Sequence, residues 1–472
     1  MPLRSQHRRR RADRRGGGTP PADGAASGRG RVGQLTAQDR YQRSGPLPRE
    51  GALWCADHFR GARGFRAAAP HAGERAFPLP RARALIEAAL DEAALRPRLT
   101  DLRGAWRCHL SHPDGTPVRD GVGAGKGDPQ SAQVGALYEA LEHHRGAALP
   151  ARGEPVELLT AAQLAGTDLA RDPALEPLAA SGGPGAAACR RYTALDHSGR
   201  TLPVPVFLTN PAYLECPADR RHELGDVLDY APLSRFSTNS GTAIGATRDE
   251  ALVHALAEAV ERDAFSLLLA GTFLLARPSP LRLVRPASLP DHLQELYLSA
   301  GWHAGGSVAL IDMTSDLGVP AFCAHTSRDG RAAQGQGASL SAEHAVRRAL
   351  NELIQVVAIR RGERNPPADL RAVESHPRLL EAARADFDPH LAGARPRDFL
   401  PTGAPAAPRE HLQRLTATLT GYGYRPYGRV LRTEPNGVTT VSVFVPGLER
   451  FFAVTAGACV VPGPRGRALG PG

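Results

Sequence analysis

Apolar and polar positions repeat one spacing three times along the chain. Ala132, Ala136, Leu137, Glu139 and Glu142 form the first copy, and Ala251, Ala255, Leu256, Glu258 and Glu261 the second. Ala345, Ala349, Leu350, Glu352 and Gln355 form the third. All three read A-x-x-x-A-L-x-E-x-x-[E/Q]. Residues three and four apart share a helix face, so the spacing predicts three helices. The alanine face is thin enough to lie close against a sheet or another helix, and the paired oxygen-bearing side chains point in one direction. Two helix starts are marked as well: Asp128-Pro129 suits an N-cap with proline in the first turn, and Thr247 with Glu250 has the spacing of a capping box.

Apolar runs rich in β-branched and aromatic residues, at Leu202–Leu208, Val308–Met313, Val319–Ala324 and Val438–Val445, read as strands. The proline-rich stretches 362–368 and 395–408 read as surface loops. A glycine-bearing, polar stretch precedes each helix, at Gly123–Gly127, Gly241–Gly245 and Gly335–Gly337, and in the first of them backbone N–H groups can come close to an anion. The expected fold is α+β (mixed α/β), with three related helix-and-sheet units facing a shared centre.

With 472 residues and 42% hydrophobic content, the chain can bury a large core in one big domain or two ordinary ones. Of the net charge of +10, eight units come from residues 1–50, where twelve arginines face four acidic residues. The remainder is nearly neutral. Residues 1–50 therefore read as a disordered Arg/Gly/Pro-rich tail, solvated rather than committed to nucleic acid. No apolar segment follows the arginines and no run of 18 apolar residues occurs, which argues for a cytoplasmic protein without a membrane span. Six cysteines, at positions 55, 108, 189, 216, 323 and 459, form no CxxC pair, so reduced thiols and no zinc site are expected.

The chain holds a single lysine, Lys126, within the run Gly121–Gly127; every other basic side chain except histidine is arginine. A compact ammonium among glycines suits a phosphate, although a solvent-exposed lysine in a turn is the plainer alternative. The spacing is not that of a Walker loop. If the three helices converge, five carboxylates and one amide gather beside this lysine. Like charges that close either take up protons or recruit a cation, and oxygen-only ligands on rigid helices suit Mg2+ together with substrate phosphates. Solvated glutamate pairs on helix surfaces are the competing reading, which three copies in register, each after glycine, disfavour.

These residues resemble the YcaO family. The stretch from Ser237 through Gly241, Gly245, Thr247, Glu250, Glu258 and Glu261 to Arg262-Asp263-Ala264 looks like its central signature. Gly125-Lys126-Gly127 through Glu142 resembles its first nucleotide segment, Gly335 through Gln355 its third, and Val445-Pro446-Gly447-Leu448-Glu449 its C-terminal strand end. The resemblance implies a YcaO domain over residues 85–460, flanked by an N-terminal extension at 51–84 and a Pro/Gly-rich tail at 461–472. It implies an enzyme using ATP and Mg2+ to phosphorylate a peptide-backbone amide oxygen, yielding an azoline by cyclodehydration or a thioamide in ribosomally made peptides.

Carried onto this sequence, the resemblance makes Lys126 a nucleotide-phosphate contact and gives Glu139, Glu142, Glu250, Glu258 and Glu261 to Mg2+ or the nucleotide. Glu261 and Arg262 stand at the transferring charge, and Glu352 and Gln355 also face the nucleotide. The capping-box reading of Glu250 stands beside its metal role. Three positions depart from the family pattern: Gly135 where it has Ser, His143 where it has Arg, and Ala246 where it has Asn. The single internal Pro-x-Pro at Pro462–Pro464 lowers the expectation of azoline chemistry. Residues 51–85 show no winged-helix pattern, so capture of a precursor peptide is assigned to a separate leader-binding, TfuA-like or E1-like partner, and a homodimer is compatible with the sequence. The other class kept open is a non-catalytic YcaO-like accessory protein, a scaffold or a support for ribosomal-protein methylthiolation.

Overall fold

The computed structural model describes residues 73–470 apart from 152, 181–184 and 363–367. The expected tail at 1–50, Cys55 and most of the extension at 51–84 lie outside the described residues. The long helices are α1 (Leu79–Glu92), α2 (Pro129–Gly146), α3 (Arg248–Leu269), α4 (Asp291–Ala304), α5 (Ala342–Gly362) and α6 (Pro408–Gly421). The strands are β1 (Arg96–Asp101), β2 (Trp106–Ser111), β3 (Pro117–Gly125), β4 (Glu157–Leu159), β5 (Ala187–Ala194), β6 (Thr201–Pro205) and β7 (Thr242–Gly245). They continue with β8 (Arg282–Val284), β9 (Ala309–Asp312), β10 (Ala321–Arg328), β11 (Arg331–Ala338), β12 (Arg395–Arg397), β13 (Tyr427–Thr433) and β14 (Thr439–Phe444).

The strands form three sheets ordered β1-β2-β3, β4-β5-β13-β14-β7 with β6 beside β5, and β11-β10-β9-β8-β12. Each sheet ends on a strand that runs straight into a motif helix: β3 into α2, β7 into α3, and β11 into α5. Five of these glycines, Gly123, Gly125, Gly245, Gly335 and Gly337, sit inside these strands and serve close packing, whereas Gly127 and Gly241 lie outside them. A Cβ on Gly125 would lie 1.7 Å from the Ala132 carbonyl oxygen, and one on Gly123 would lie 2.2 Å from the Ala140 nitrogen. The same holds for Gly337 against Ala345, at 2.2 Å, and for Gly335 against Leu353, at 2.1 Å. Gly245 would meet the Ala251 nitrogen at 2.6 Å. Missing side chains on the strand thus face the alanine rows of the helix, and backbone packs on backbone.

The helix starts follow the expected chemistry. Asp128 accepts from the Gln130 and Ser131 amides, both at 3.1 Å, and Thr247 Oγ1 accepts from the Glu250 amide at 3.3 Å. α3 is the central helix, with Leu252, Val253, Leu256, Val260, Phe265 and Leu269 all buried. The runs at 308–313, 319–324 and 438–445 contain β9, the start of β10, and β14. The run at 202–208 is strand only to Pro205; a helical turn, Val206–Thr209, follows, because Pro203 and Pro205 remove ladder donors. The stretch 395–408 is not wholly loop, since β12 pairs in parallel with β8 at the sheet edge.

The ends of the body also lie beyond the expected 85–460. Residues 73–84 enter it, as shown below. Among residues 461–470, the Gly463 and Gly466 amides donate to the buried Glu449 carboxylate at 2.9 and 2.8 Å. Arg465 donates to both oxygens of fully buried Asp263, at 2.8 and 3.0 Å, and to Asp316 at 2.6 Å. Cys108, Cys189, Cys216, Cys323 and Cys459 are free thiols, as expected. Among the described residues no helix is long and apolar enough to cross a membrane.

Candidate nucleotide and metal site

The last side chain of each motif copy reaches out of its own unit to the strand of the next. Glu142 on α2 accepts from the Ile244 amide of β7 at 2.9 Å. Glu261 on α3 accepts from the Ala338 amide of β11 at 3.2 Å. Gln355 on α5 donates through Nε2 to the Ala124 carbonyl of β3. The ties run α2 to β7, α3 to β11 and α5 to β3, so the three units close into a ring.

The first acidic side chain of each copy lies beside a basic side chain instead. Glu139 lies 3.9 Å from His143 Nε2. Glu258 accepts from the Gly241 amide at 3.3 Å and lies 3.6 Å from Arg262 Nε. Glu352 pairs with Lys126 Nζ at 2.5 Å, joining the first unit to the third across 226 residues. Lys126 is thus neither a free turn lysine nor an isolated phosphate hook; its ammonium is shared with an acid of the ring.

The charges act on one another. Burial, with the Glu139 and Glu258 charges beside it, pushes the Glu142 carboxyl well above the usual carboxylate range. Burial likewise raises Glu261, with Glu352 adding to it and Arg348, Arg262 and Lys126 opposing. Glu139 is raised by burial against the pull of His143 and Lys126. Burial acts to raise Glu352 also, but Lys126 and Arg262 outweigh it and hold the carboxyl below its ordinary value. Of these four, only Glu352 has cations close enough to outweigh its burial.

Arg262 donates to Gln336 Oε1 at 2.9 Å and lies 5.2 Å above the Phe452 ring, while its buried Nε lacks a hydrogen-bond partner. Arg348 on α5, which sequence reasoning did not single out, lies 3.5 Å from Glu261 Oε2 and also has a buried, unpartnered Nε. Its signal was a charge on the alanine-rich side of the third motif copy, at the position filled by Gly135 in the first and His254 in the second. Two orphaned guanidinium donors and Lys126 suit phosphate oxygens; carboxylates raised by burial and mutual repulsion suit Mg2+. No three of these glutamates bring ligand oxygens within 4.8 Å of one another; among the described residues His325, Asp386 and Asp388 do so, at a separate place. That openness fits an ion that takes one or two carboxylates and draws the rest from phosphate and water.

Glu250 is the sequence-predicted site residue that stands apart. Its carboxylate is taken by Arg75 and the Ala76 amide, at 2.8 and 3.0 Å, and does not join the other glutamates or complete the capping box. Of the three departures, Ala246 is buried in an apolar cluster with Leu137, Leu141 and Ile244. His143 is pinned through Nδ1 to the Val122 carbonyl at 2.6 Å, leaving Nε2 toward Glu139. At Gly135 a Cβ would meet only Gly125 Cα, at 3.5 Å, so a serine would fit.

A family model described as YcaO cyclodehydratase, ATP- and Mg2+-binding, matches residues 124–449. An uncharacterised protein in the tfuA 3′ region of Rhizobium leguminosarum bv. trifolii is 39% identical over 89 residues, 18% of this chain and 20% of that protein. An uncharacterised protein of Methanothermobacter thermautotrophicus is 33% identical over 160 residues, 33% of this chain and 36% of its own. The chain thus spans about a fifth and about a third of the length of these curated relatives. Among solved structures, YcaO from Methanopyrus kandleri bound with AMPPCP and Mg2+ aligns with a TM-score of 0.54 at 21% identity, covering 84% of this chain and 98% of that one. A heterocyclase in complex with substrate and cofactor also aligns at 0.54, with 17% identity over 84% of this chain and 56% of its own. Both likenesses concern the fold.

Proposed function

Because the chain belongs to the YcaO family, whose model covers residues 124–449 and is ATP- and Mg2+-binding, we propose that it uses MgATP to activate peptide-backbone amides in ribosomally made peptides. The observation that carries this reading is the closed ring of three glycine-strand and carboxylate-helix units, with Lys126, Arg262 and Arg348 turned into it. In the reaction a nucleophile adds to the amide carbon and the amide oxygen takes the γ-phosphoryl group of ATP. ADP leaves, and phosphate is then expelled as the new carbon–heteroatom unit forms. Phosphoryl transfer of this kind is mainly positioning and charge neutralisation.

Each residue has a share in that task. Glu139, Glu142, Glu258 and Glu261 would hold Mg2+, which supplies charge neutralisation on the phosphates. Arg262 and Arg348 offer their orphaned N–H donors to phosphate oxygens, and Lys126 spans phosphate and Glu352. Gln336 keeps the Arg262 fork facing the ring. Gln355 and the Glu142 and Glu261 ties fix the distances between the walls, so that the donors need little reorganisation.

The relative in the tfuA 3′ region supports a TfuA-like partner and, with it, the enzyme reading over the accessory one. The test combines this protein, a precursor peptide and a partner encoded beside it, and MgATP, and follows phosphate release together with peptide mass. Loss of one water marks an azoline, and replacement of oxygen by sulfur a thioamide. Absence of peptide-dependent phosphate release with all components present would sink the enzyme reading in favour of an accessory role.

A further inference from the structure

Glu250 is held by the segment just before α1, outside the region that the family model covers. Its side chain is 3% exposed, whereas that of Arg75 is 45% exposed and covers it from the solvent side. Oε1 accepts from Arg75 Nη1 at 2.8 Å and Oε2 from the Ala76 amide at 3.0 Å, so each oxygen already has a donor. The neighbouring Glu74, 1% exposed, accepts from Ser339 Oγ and lies 3.3 Å from His344 Nε2. Residues 74–76 therefore run between the start of α3 and the start of α5, anchored to both.

A buried carboxylate needs one positive charge or one proton. Arg75 provides that charge at Oε1, and the Ala76 amide occupies Oε2, so neither oxygen is left open to an ion. Glu250 also precedes Glu258 by eight residues on α3, about 12 Å along the helix axis, so it does not share the ring's centre. We infer that Arg75 is a built-in counter-cation that closes Glu250 to divalent ions, leaving Mg2+ to Glu139, Glu142, Glu258 and Glu261. This rests on the MgATP reading of the ring but not on any reaction performed there.

The test counts Mn2+ ions bound per chain by electron paramagnetic resonance titration of the full-length protein with AMPPNP, with thermal melts to establish that each variant is folded. Wild type, Glu250→Gln and Arg75→Lys are expected to bind equal numbers. Arg75→Gln is expected to bind one ion more, and the double variant Arg75→Gln/Glu250→Gln to return to the wild-type count. Loss of an ion in Glu250→Gln, or no gain in Arg75→Gln, overturns the inference. Should Arg75→Gln fail to fold, the Glu250→Gln count decides alone. Wild-type protein that binds no Mn2+ would undo the MgATP reading instead, and the comparison of Arg75→Gln with the double variant would still decide this one.

Discussion

Glutamine closes the third motif copy where glutamate closes the first two, and the atom each one meets explains the difference. Glu142 and Glu261 face backbone N–H donors and need acceptors, whereas Gln355 faces the Ala124 carbonyl and needs a donor. The sequence made all six side chains conspicuous but not this division, because the meeting atoms belong to strands one unit away. The contact of Glu250 was hidden for a related reason: its partner Arg75 lies 175 residues earlier, and helix spacing says nothing of it. Lys126→Arg exchanges a point charge for a broader fork opposite Glu352, and Mg–AMPPNP affinity measured by calorimetry is expected to fall roughly tenfold or more. The raised Glu142 carboxyl has a pH signature. The folded chain without metal holds that proton more tightly than the unfolded chain, so the contribution to stability is full below the ordinary carboxylate range and is lost as pH rises through the raised value. In EDTA at about pH 8, Glu142→Gln should therefore melt higher than wild type, by about 2 °C, with the gap closing near pH 4. Equal melting points at both pH values would contradict the charge crowding at this position.

At the scale of the element, the alanine period was readable because a helix puts every fourth residue on one face, and α2, α3 and α5 follow it. Gly123 and Gly125 admit a helix rather than an anion, a distinction that composition alone does not draw. Their positions now give opposite expectations for neighbouring substitutions. Gly125→Ala drives a Cβ to 1.7 Å from the Ala132 oxygen, which must part β3 from α2. A cost of about 3 kcal/mol or more is expected in denaturant unfolding, together with loss of nucleotide binding. Gly135→Ser, one helix turn beyond Ala132, has ordinary contact distances and removes glycine from a helix interior. It should leave the fold intact or gain about 0.5 kcal/mol, and tighten Mg–AMPPNP binding by the polar contact it restores. A destabilised Gly135→Ser variant would show that the close approach of Gly125 extends to that position.

Over the whole molecule, convergence of three units on one centre was legible from the repeat, while the limits of the body were not. The resemblance set the ends at 85 and 460, yet Arg75, Gly463, Arg465 and Gly466 all donate to buried acids, and Glu74 is itself a buried acid that accepts from Ser339. Such contacts leave no periodic trace. Asp263, wholly buried and pushed by burial up to about 6 despite Arg465, depends on that arginine for its charge. Arg465→Ala should cost about 3–5 kcal/mol in unfolding experiments near neutral pH, less in acid where Asp263 is protonated, and Arg465→Lys should recover part of it. A loss that is independent of pH would point to packing on Tyr424 instead. Asp263 and Arg465 stand 202 residues apart. At 5–20 residues per second a ribosome needs on the order of 10–40 s to travel between them. For that interval the nascent chain carries the middle of α3 without the cation that answers its acid, so the C-terminal segment is the last part to dock on α3, after the ring ties that end at Gln355 have been made.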